Sequence, residues 1–197
     1  MVLQSIYEAF RSLADSLWKA LGYFEGKEGS LVVLGLDNAG KTTMLHRLRT
    51  GGDVRSFPPT DRPQQTERFE TSRGIRFSAW DLGGHEAVRH LWEDYVCCHE
   101  SSAVLFLIDA VDRERFAEAG FELDALVGEK VVEGLPVAVL LNKCDLEEAA
   151  STKEVCGAIG FGDLQRMQGE DKIAVFRMSV LKGEGYQAAF RWVAEFL

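Results

Sequence analysis

Short apolar runs alternate with amphipathic segments along most of the chain. Apolar runs of strand length lie at 30–36, 103–109, 136–142 and 173–179. Helical spacing of apolar positions predicts helices at about 40–50, 86–97, 113–130, 152–159 and 185–196. A hairpin is predicted at 66–71 and 75–81, turning at Arg73 and Gly74. This alternation predicts an α/β fold with helices on both faces of a mostly parallel six-stranded sheet, which has one antiparallel edge strand.

The first 24 residues differ from the rest because their apolar positions follow one helical stripe. The candidate membrane-binding residues on this stripe are Leu3, Ile6, Phe10, Leu13, Leu17 and Trp18. The opposite face has charges that sum to zero, so membrane attachment would depend on apolar insertion. Val2 excludes N-myristoylation. We expect an amphipathic helix at 1–24, a hinge at 22–30 and one domain at 25–197; a helix packed on that domain is the alternative.

Composition and charge exclude several classes of function. The chain has 197 residues, and its 31 acidic against 22 basic residues give a net charge of −9, which disfavours nucleic-acid binding. Its apolar runs are far shorter than the roughly 20 residues of a membrane span. The cysteines lack the spacing of a zinc site and indicate reduced thiols of a cytoplasmic protein; they are Cys97, Cys98, Cys144 and Cys156.

The first chemical motif is GLDNAGKT at 35–42, between a predicted strand and a predicted helix. In such a loop the backbone N–H groups surround phosphate oxygens, and the helix N-terminus adds partial positive charge. Lys41 supplies a positive charge for the β- and γ-phosphates. The Thr42 hydroxyl is a hard oxygen ligand for Mg²⁺. The motif therefore predicts a site for a nucleoside triphosphate with Mg²⁺.

Two further motifs follow in order. Asp81 opens DLGGH at the end of a predicted strand, where it can hold Mg²⁺ through a water. The N–H group of Gly84 can approach a γ-phosphate because no side chain intervenes. NKCD at 142–145 follows an apolar strand, and the Asp145 carboxylate can accept hydrogen bonds from N1–H and the 2-amino group of guanine. Adenine lacks both donors, so the three motifs together predict a guanine nucleotide.

These motifs, in this order and spacing, resemble those of the small GTPases. GLDNAGKTT, WDLGGH and NKCD resemble the Arf superfamily. His85, where most small GTPases have Gln, and SVLKGEGY at 179–186 are similar to its Sar branch, which starts COPII coat assembly at the endoplasmic reticulum. The resemblance implies the P-loop small-GTPase fold and a slow GTP hydrolase that cycles between GDP and GTP states.

The same resemblance implies partners and a location. A COPII inner coat subunit would act as the activating protein and supply an arginine in trans. A membrane-bound exchange factor would load GTP. The GTP state would lie on the endoplasmic reticulum and Golgi membrane through the N-terminal helix, which would be docked on the domain in the GDP state.

The resemblance also assigns roles by position. His85 would orient the attacking water, and Thr42, Asp37 and Asp81 would support Mg²⁺. The nucleotide would be held by Asn38, Ala39, Gly40, Lys41, Thr42, Thr43, Gly84, Asn142, Lys143, Asp145, Ser179, Val180 and Leu181. A threonine of the switch I segment should close on the γ-phosphate and Mg²⁺. Its spacing from Lys41 favours Thr60, and Thr66 is the alternative.

Three other functions stay open at this point. A P-loop phosphotransferase would need an arginine-rich lid, which the sequence lacks, and NKCD argues against ATP. A GTP-binding scaffold without hydrolysis is favoured only by the unusual length of switch I. An Arf-like GTPase that serves another membrane is the third alternative. The segment 160–172 is predicted to be a loop that is short for the Sar branch.

Overall fold

The computed structural model describes residues 27–197 except 53, 67, 72, 73, 99 and 100. The predicted N-terminal helix and its candidate membrane-binding residues lie outside the described residues. That helix and the domain boundary beside it therefore stay predictions. Among the described residues, no helix combines the length and apolarity needed to span a membrane.

One sheet forms the centre of the domain. In chain order its strands are β1 (Glu28–Leu34), β2 (Gln64–Gln65), β3 (Phe69–Glu70), β4 (Arg76–Asp81), β5 (Ala103–Asp109), β6 (Val137–Asn142) and β7 (Ile173–Arg177). They are arranged β2-β4-β1-β5-β6-β7, with β3 also paired to β4. All pairings from β4 to β7 are parallel, whereas β2 and β3 run antiparallel to β4. The predicted mostly parallel sheet with an antiparallel edge is confirmed.

The antiparallel edge consists of two short strands where the sequence predicted one. Thr66 lies between β2 and β3, and its N–H group donates to the Ala79 carbonyl at 2.7 Å. The Thr66 hydroxyl oxygen accepts from the Ala79 N–H group at 3.1 Å. A side chain thus takes the place of a backbone acceptor, and the regular ladder is interrupted at this residue, as at a bulge.

Helices cover both faces of the sheet, as predicted. They are α1 (Lys41–Thr50), α2 (Glu86–Arg89), α3 (Trp92–Cys98), α4 (Phe116–Gly128), α5 (Thr152–Ala158), α6 (Phe161–Gln168) and α7 (Tyr186–Ala194). Successive β1 residues point to opposite faces, so Val32 and Leu34 pack in one apolar cluster while Leu31 and Val33 pack in the other. The first cluster lies under α3 to α6, and the second lies under α1 and α7.

Two predicted elements differ in the structure. The helix predicted at 86–97 is two helices, because the chain turns after α2 and the buried indole N–H of Trp92 donates to the Gly83 carbonyl at 2.9 Å. The loop predicted at 160–172 contains α6, so that prediction was wrong. Its glycines obscured the helical pattern, and the burial of Leu164 in the core stabilises a helix that local propensity alone does not indicate.

Candidate nucleotide site

The candidate site is a crevice of about 450 Å³ at the carboxyl ends of the parallel strands. The three motifs and the segment after β7 all lie at this edge, where ligands of open α/β sheets bind. Most of the predicted residues line the crevice: Asp37, Asn38, Gly40, Lys41, Thr42, Thr43, Thr60, Gly84, His85, Asn142, Lys143, Asp145, Val180 and Leu181. Ala39, Asp81 and Ser179 are buried directly behind this lining.

The P-loop between β1 and α1 is shaped for an anion. The backbone of Asn38 and Gly40 is left-handed, with φ of 62° and 96°, which turns successive N–H groups toward one concavity. Lys41 is 5% exposed and its Nζ donates to the carbonyls of Gly35 and Leu36 at 2.7 and 2.8 Å. Burial lowers the pKa of Lys41 to about 8, against the opposing charges of Asp81 and Asp37. An anion bound beside this ammonium group would raise its pKa again.

Three oxygen-bearing side chains converge beside the P-loop. Thr42 Oγ1 donates to Asp81 Oδ2 at 2.7 Å and lies 2.9 Å from Thr60 Oγ1. Burial raises the pKa of Asp81 above its usual value, although the Thr42 hydrogen bond and the Lys41 charge oppose this. Asp81 Oδ1 is buried without a hydrogen-bond partner among the described residues. A carboxylate with an unsatisfied oxygen beside two hydroxyl groups is a donor set that fits Mg²⁺ and its water shell.

The two candidate switch I threonines have different surroundings. Thr60 contacts Thr42, whereas the Thr66 hydroxyl is bonded to the backbone of β4. Asp37, also predicted to support Mg²⁺, contacts Arg115 Nη2 through its Oδ1 at 2.8 Å and is not bonded to the threonine–aspartate group. Partial burial raises the pKa of Asp37, but the hydrogen bond and charge of Arg115 bring it below its usual value.

Gly84 and His85 close the phosphate end of the crevice. A Cβ atom at Gly84 would overlap the backbone of Leu36 and Asp37, so only glycine permits this close approach to the P-loop. His85 is exposed at the rim, and its Nδ1 accepts a hydrogen bond from the Ala87 N–H group at 3.4 Å, which caps α2. The residue therefore lies at the rim of the crevice, next to Gly84.

A network of arginines and carboxylates, which sequence reasoning missed, lies behind Gly84. Arg89 Nε donates to the Gly84 carbonyl at 2.8 Å, and its other nitrogens contact Glu118 at 2.6 Å and Glu122 at 2.7 Å. Arg115 also contacts Glu118, at 2.7 Å, and lowers the pKa of Glu118 to about 2. The network connects the P-loop with the DLGGH segment through α4. Its sequence separations match no motif, so no local signal indicated it.

The base end of the crevice is held by the hydrogen bonds of a buried amide and by one ion pair. Asn142, 3% exposed, donates from Nδ2 to the Ala39 carbonyl at 2.8 Å and accepts at Oδ1 from the Val180 N–H group at 3.0 Å. It thus connects the P-loop with the segment after β7. Lys143 Nζ lies 2.6 Å from Asp109 Oδ2, and the Ser179 hydroxyl accepts from the Lys182 N–H group at 2.9 Å. These contacts form a pocket in which Asp145 lines the wall.

Comparisons with known proteins agree with this geometry. The chain matches the model of the ADP-ribosylation factor family over residues 15–197. It is 32% identical to ADP-ribosylation factor J of Dictyostelium discoideum over 191 residues, covering 96% of this chain and 97% of the relative. It is 34% identical to small COPII coat GTPase SAR1 of Giardia intestinalis over 184 residues, covering 90% and 93%.

A solved structure and a third relative extend the comparison. The Arl6 BBS3 small GTPase of Trypanosoma brucei, solved with the nucleotide analogue GppNp, superposes with a TM-score of 0.73 at 26% identity, covering 86% of this chain and 96% of that one. ADP-ribosylation factor-like protein 1 of Caenorhabditis elegans is 34% identical over 173 residues, covering 88% and 91%. Arf, Arl and Sar relatives are equally similar, so the similarity does not select the Sar branch. The chain belongs to the ADP-ribosylation factor family of small GTPases, which are GTP hydrolases.

Proposed function

We propose that this protein is a Mg²⁺-dependent switch that binds guanine nucleotides and hydrolyses GTP slowly without an activating protein. The observation that carries the proposal is the convergence of Thr42, Thr60 and Asp81 beside the P-loop. A switch I threonine beside Thr42 can contact both the γ-phosphate and its metal. A P-loop with only a structural role would not require Thr60 at this position. The family membership supports the same reading.

Each part of the crevice has a proposed task. Lys41 and the P-loop N–H groups hold the phosphates, and the carboxylate of Asp145 reads the guanine edge. Thr42, Thr60 and Asp81 would hold Mg²⁺, which would neutralise phosphate charge when bound. His85 orients the attacking water. It does not need to remove a proton from this water early, because catalysis of phosphoryl transfer depends mainly on positioning the reactants and stabilising the charge of the transition state.

The switch between the two nucleotide states depends on the groups that would contact a γ-phosphate but not GDP. Gly84 and Thr60 both lie at the P-loop, an arrangement that a γ-phosphate with Mg²⁺ would stabilise. GDP lacks that phosphate, so both segments lose a ligand when GTP is hydrolysed. A partner protein or a membrane that binds one of the two arrangements more tightly can therefore distinguish the GTP state from the GDP state.

Identification of the bound nucleotide tests this function most simply. Purified protein is heat-denatured, and the released nucleotide is separated by chromatography. Near-stoichiometric GDP or GTP is expected, and GDP would further indicate competent hydrolysis. Release of ATP, or failure to bind GTP after loading with Mg²⁺, would contradict the proposal.

Within the family, we propose the Sar branch and a role in COPII coat recruitment at the endoplasmic reticulum. His85 after DLGG and the similarity to the Giardia COPII coat GTPase support it. The GTP state would insert the N-terminal helix into the membrane and recruit inner coat subunits, one of them the activating protein, after loading by a membrane-bound exchange factor. An Arf-like role at another membrane is the competing candidate, favoured by the equal similarity to Arf and Arl proteins.

Liposome flotation separates these candidates. GTP-loaded protein should float with vesicles more than GDP-loaded protein, and it should bring purified COPII inner coat subunits with it. Flotation that depends on GTP without coat recruitment would favour the Arf-like role. Equal flotation of both nucleotide states would contradict the proposed membrane switch.

A further inference from the structure

The segment 179–185, here called the base loop, follows β7 and contributes Val180 and Leu181 to the nucleotide crevice. Its shape is set by its own backbone hydrogen bonds. The Ser179 N–H group donates to the Glu184 carbonyl at 3.0 Å, and the Ser179 carbonyl accepts from the N–H groups of Gly183 and Glu184 at 2.9 and 3.1 Å. These bonds make the loop compact, but they do not attach it to the phosphate end of the site.

The base loop is the wall between two cavities. Val180 and Leu181 face the nucleotide crevice, while Gly185 and Arg47 line a second cavity of about 770 Å³ on the other side. The Leu181 side chain is 61% exposed, so burial restrains this residue little. The bond from the Val180 N–H group to Asn142 fixes the loop at its first residues. Further along, the loop receives two side-chain donors, one from Gln187 in α7 to the Gly183 carbonyl at 3.3 Å and one from α1.

Arg47 in α1 makes the second of these contacts. Its Nη1 donates to the Leu181 carbonyl at 3.2 Å. The guanidinium also lies against Gly183, where an added Cβ atom would overlap Nη2 and where φ is 79°. Glycine therefore allows both the backbone turn and the close approach of the arginine. A charged donor on a backbone carbonyl is stronger than a neutral one.

We propose that Arg47 is a positioning residue that holds the base loop over the guanine ring and thereby limits the rate of nucleotide release. The proposal rests on the proposed guanine-nucleotide function of this crevice. α1 begins with Lys41 and Thr42 at the phosphate end, and about one and a half turns later Arg47 reaches the base end. One rigid helix thus connects the two ends of the site, in addition to the buried connection through Asn142.

Dissociation of a fluorescent GDP analogue tests the proposal. Arg47→Ala should release GDP about fivefold faster than the unmodified protein, because one exposed, charge-assisted hydrogen bond to the base loop is lost. The factor should be the same in Mg²⁺ and in EDTA, because the lost contact is at the base end. Arg47→Lys should recover part of the effect, since one ammonium N–H can reach the Leu181 carbonyl.

Arg49→Ala is the matched control. It removes the same charge from the same helix, but Arg49 lines the cavity beside switch I and not the one behind the base loop. Its release rate should equal that of the unmodified protein. Arg47→Met is an independent variant, because it keeps the aliphatic part of the side chain and removes the donor to the Leu181 carbonyl. It should also speed release, and it keeps the test available if Arg47→Ala does not fold.

The outcomes separate this proposal from the proposed function. If the unmodified protein does not bind GDP, the proposed function fails and Arg47 has no nucleotide to retain. If it binds GDP while Arg47→Ala and Arg47→Met release it at the unmodified rate, only the positioning role is overturned. An acceleration seen in Mg²⁺ but absent in EDTA would overturn it too, because the effect would then act through the phosphate end.

Discussion

The two ends of the nucleotide crevice are held by different kinds of interaction. At the base end, Asn142 connects Ala39 with Val180 through buried, neutral hydrogen bonds. At the phosphate end, Lys41, Asp81 and Arg89 form a charged set in which Asp81 Oδ1 has no partner among the described residues. A satisfied neutral network is stable without ligand, whereas buried unmatched charge favours binding of counter-ions. We therefore expect a preformed base pocket and a phosphate end that nucleotide and metal complete.

The largest expected effect concerns base recognition. Asp145→Ala removes the carboxylate that would accept two guanine donors, so the preference for GDP over ADP should fall by about a thousandfold. Titration of the purified variant with both nucleotides measures this preference. Thr43→Ala, a crevice change away from the guanine edge, is the control. An undiminished preference for GDP in Asp145→Ala would refute the assignment of the base end.

Gly84→Ala tests the phosphate end. The added methyl group would overlap the P-loop backbone, which should cost about 2–3 kcal/mol when the segment closes. Affinity for a non-hydrolysable GTP analogue should therefore fall about 30- to 100-fold, while affinity for GDP changes little. The two affinities are compared by competition against fluorescent GDP. Equal losses for both nucleotides would show that Gly84 does not distinguish them.

The sequence predicts those parts of the site that are formed by contiguous residues, and it does not predict contacts between residues far apart in the chain. The P-loop, DLGGH and NKCD are contiguous, and each follows a strand whose apolar pattern is clear, so their meeting at one sheet edge could be expected. Arg89 could not be predicted to contact Glu118 and Glu122, because the contacts depend on how α2 packs against α4. By contrast, the spacing from Lys41 favoured Thr60 over Thr66, and Thr60 is the threonine that lies against Thr42.

The fold shows the same difference between elements that have a clear local pattern and elements that depend on distant contacts. Strands β5 and β6 were predicted almost to the residue, because buried parallel strands are continuous apolar runs. Helix α6 was missed because its stability comes from the burial of Leu164 against other elements. His85 and SVLKGEGY resemble the Sar branch, but Arf, Arl and Sar relatives are equally similar to the whole chain, so overall similarity does not decide the branch.

Arg89→Leu tests whether the charged network supports the phosphate end. Arg89 is 8% exposed, and its loss leaves Glu118, Glu122 and the Gly84 carbonyl without their shared donor. The free energy of unfolding should fall by about 2–3 kcal/mol. Urea denaturation of GDP-loaded protein measures it, with Arg113→Leu as the control because that ion pair is half exposed. A loss no greater than that of the control would contradict a supporting role.

The smallest effect is the pH dependence of nucleotide affinity. Burial lowers the pKa of Lys41 to about 8, so the free protein loses this charge as pH rises above 8. Bound phosphate favours the protonated ammonium group, and the dissociation constant for GDP should therefore rise about tenfold between pH 7 and 9. Asn142 at the base end does not titrate. Lys41→Arg, which stays charged over this range, should show a flat profile; a matching rise would assign the effect to another group.

Hydrogen exchange in two nucleotide states tests the central claim most directly. Protein loaded with GDP is compared with protein loaded with a non-hydrolysable GTP analogue, both in Mg²⁺. The account predicts that the GTP analogue protects residues 54–66 and 81–90, while residues 142–145 and 179–185 exchange equally in both states. Equal exchange throughout, or a difference concentrated in the base segments, would contradict a preformed base pocket coupled to a phosphate end that closes on GTP.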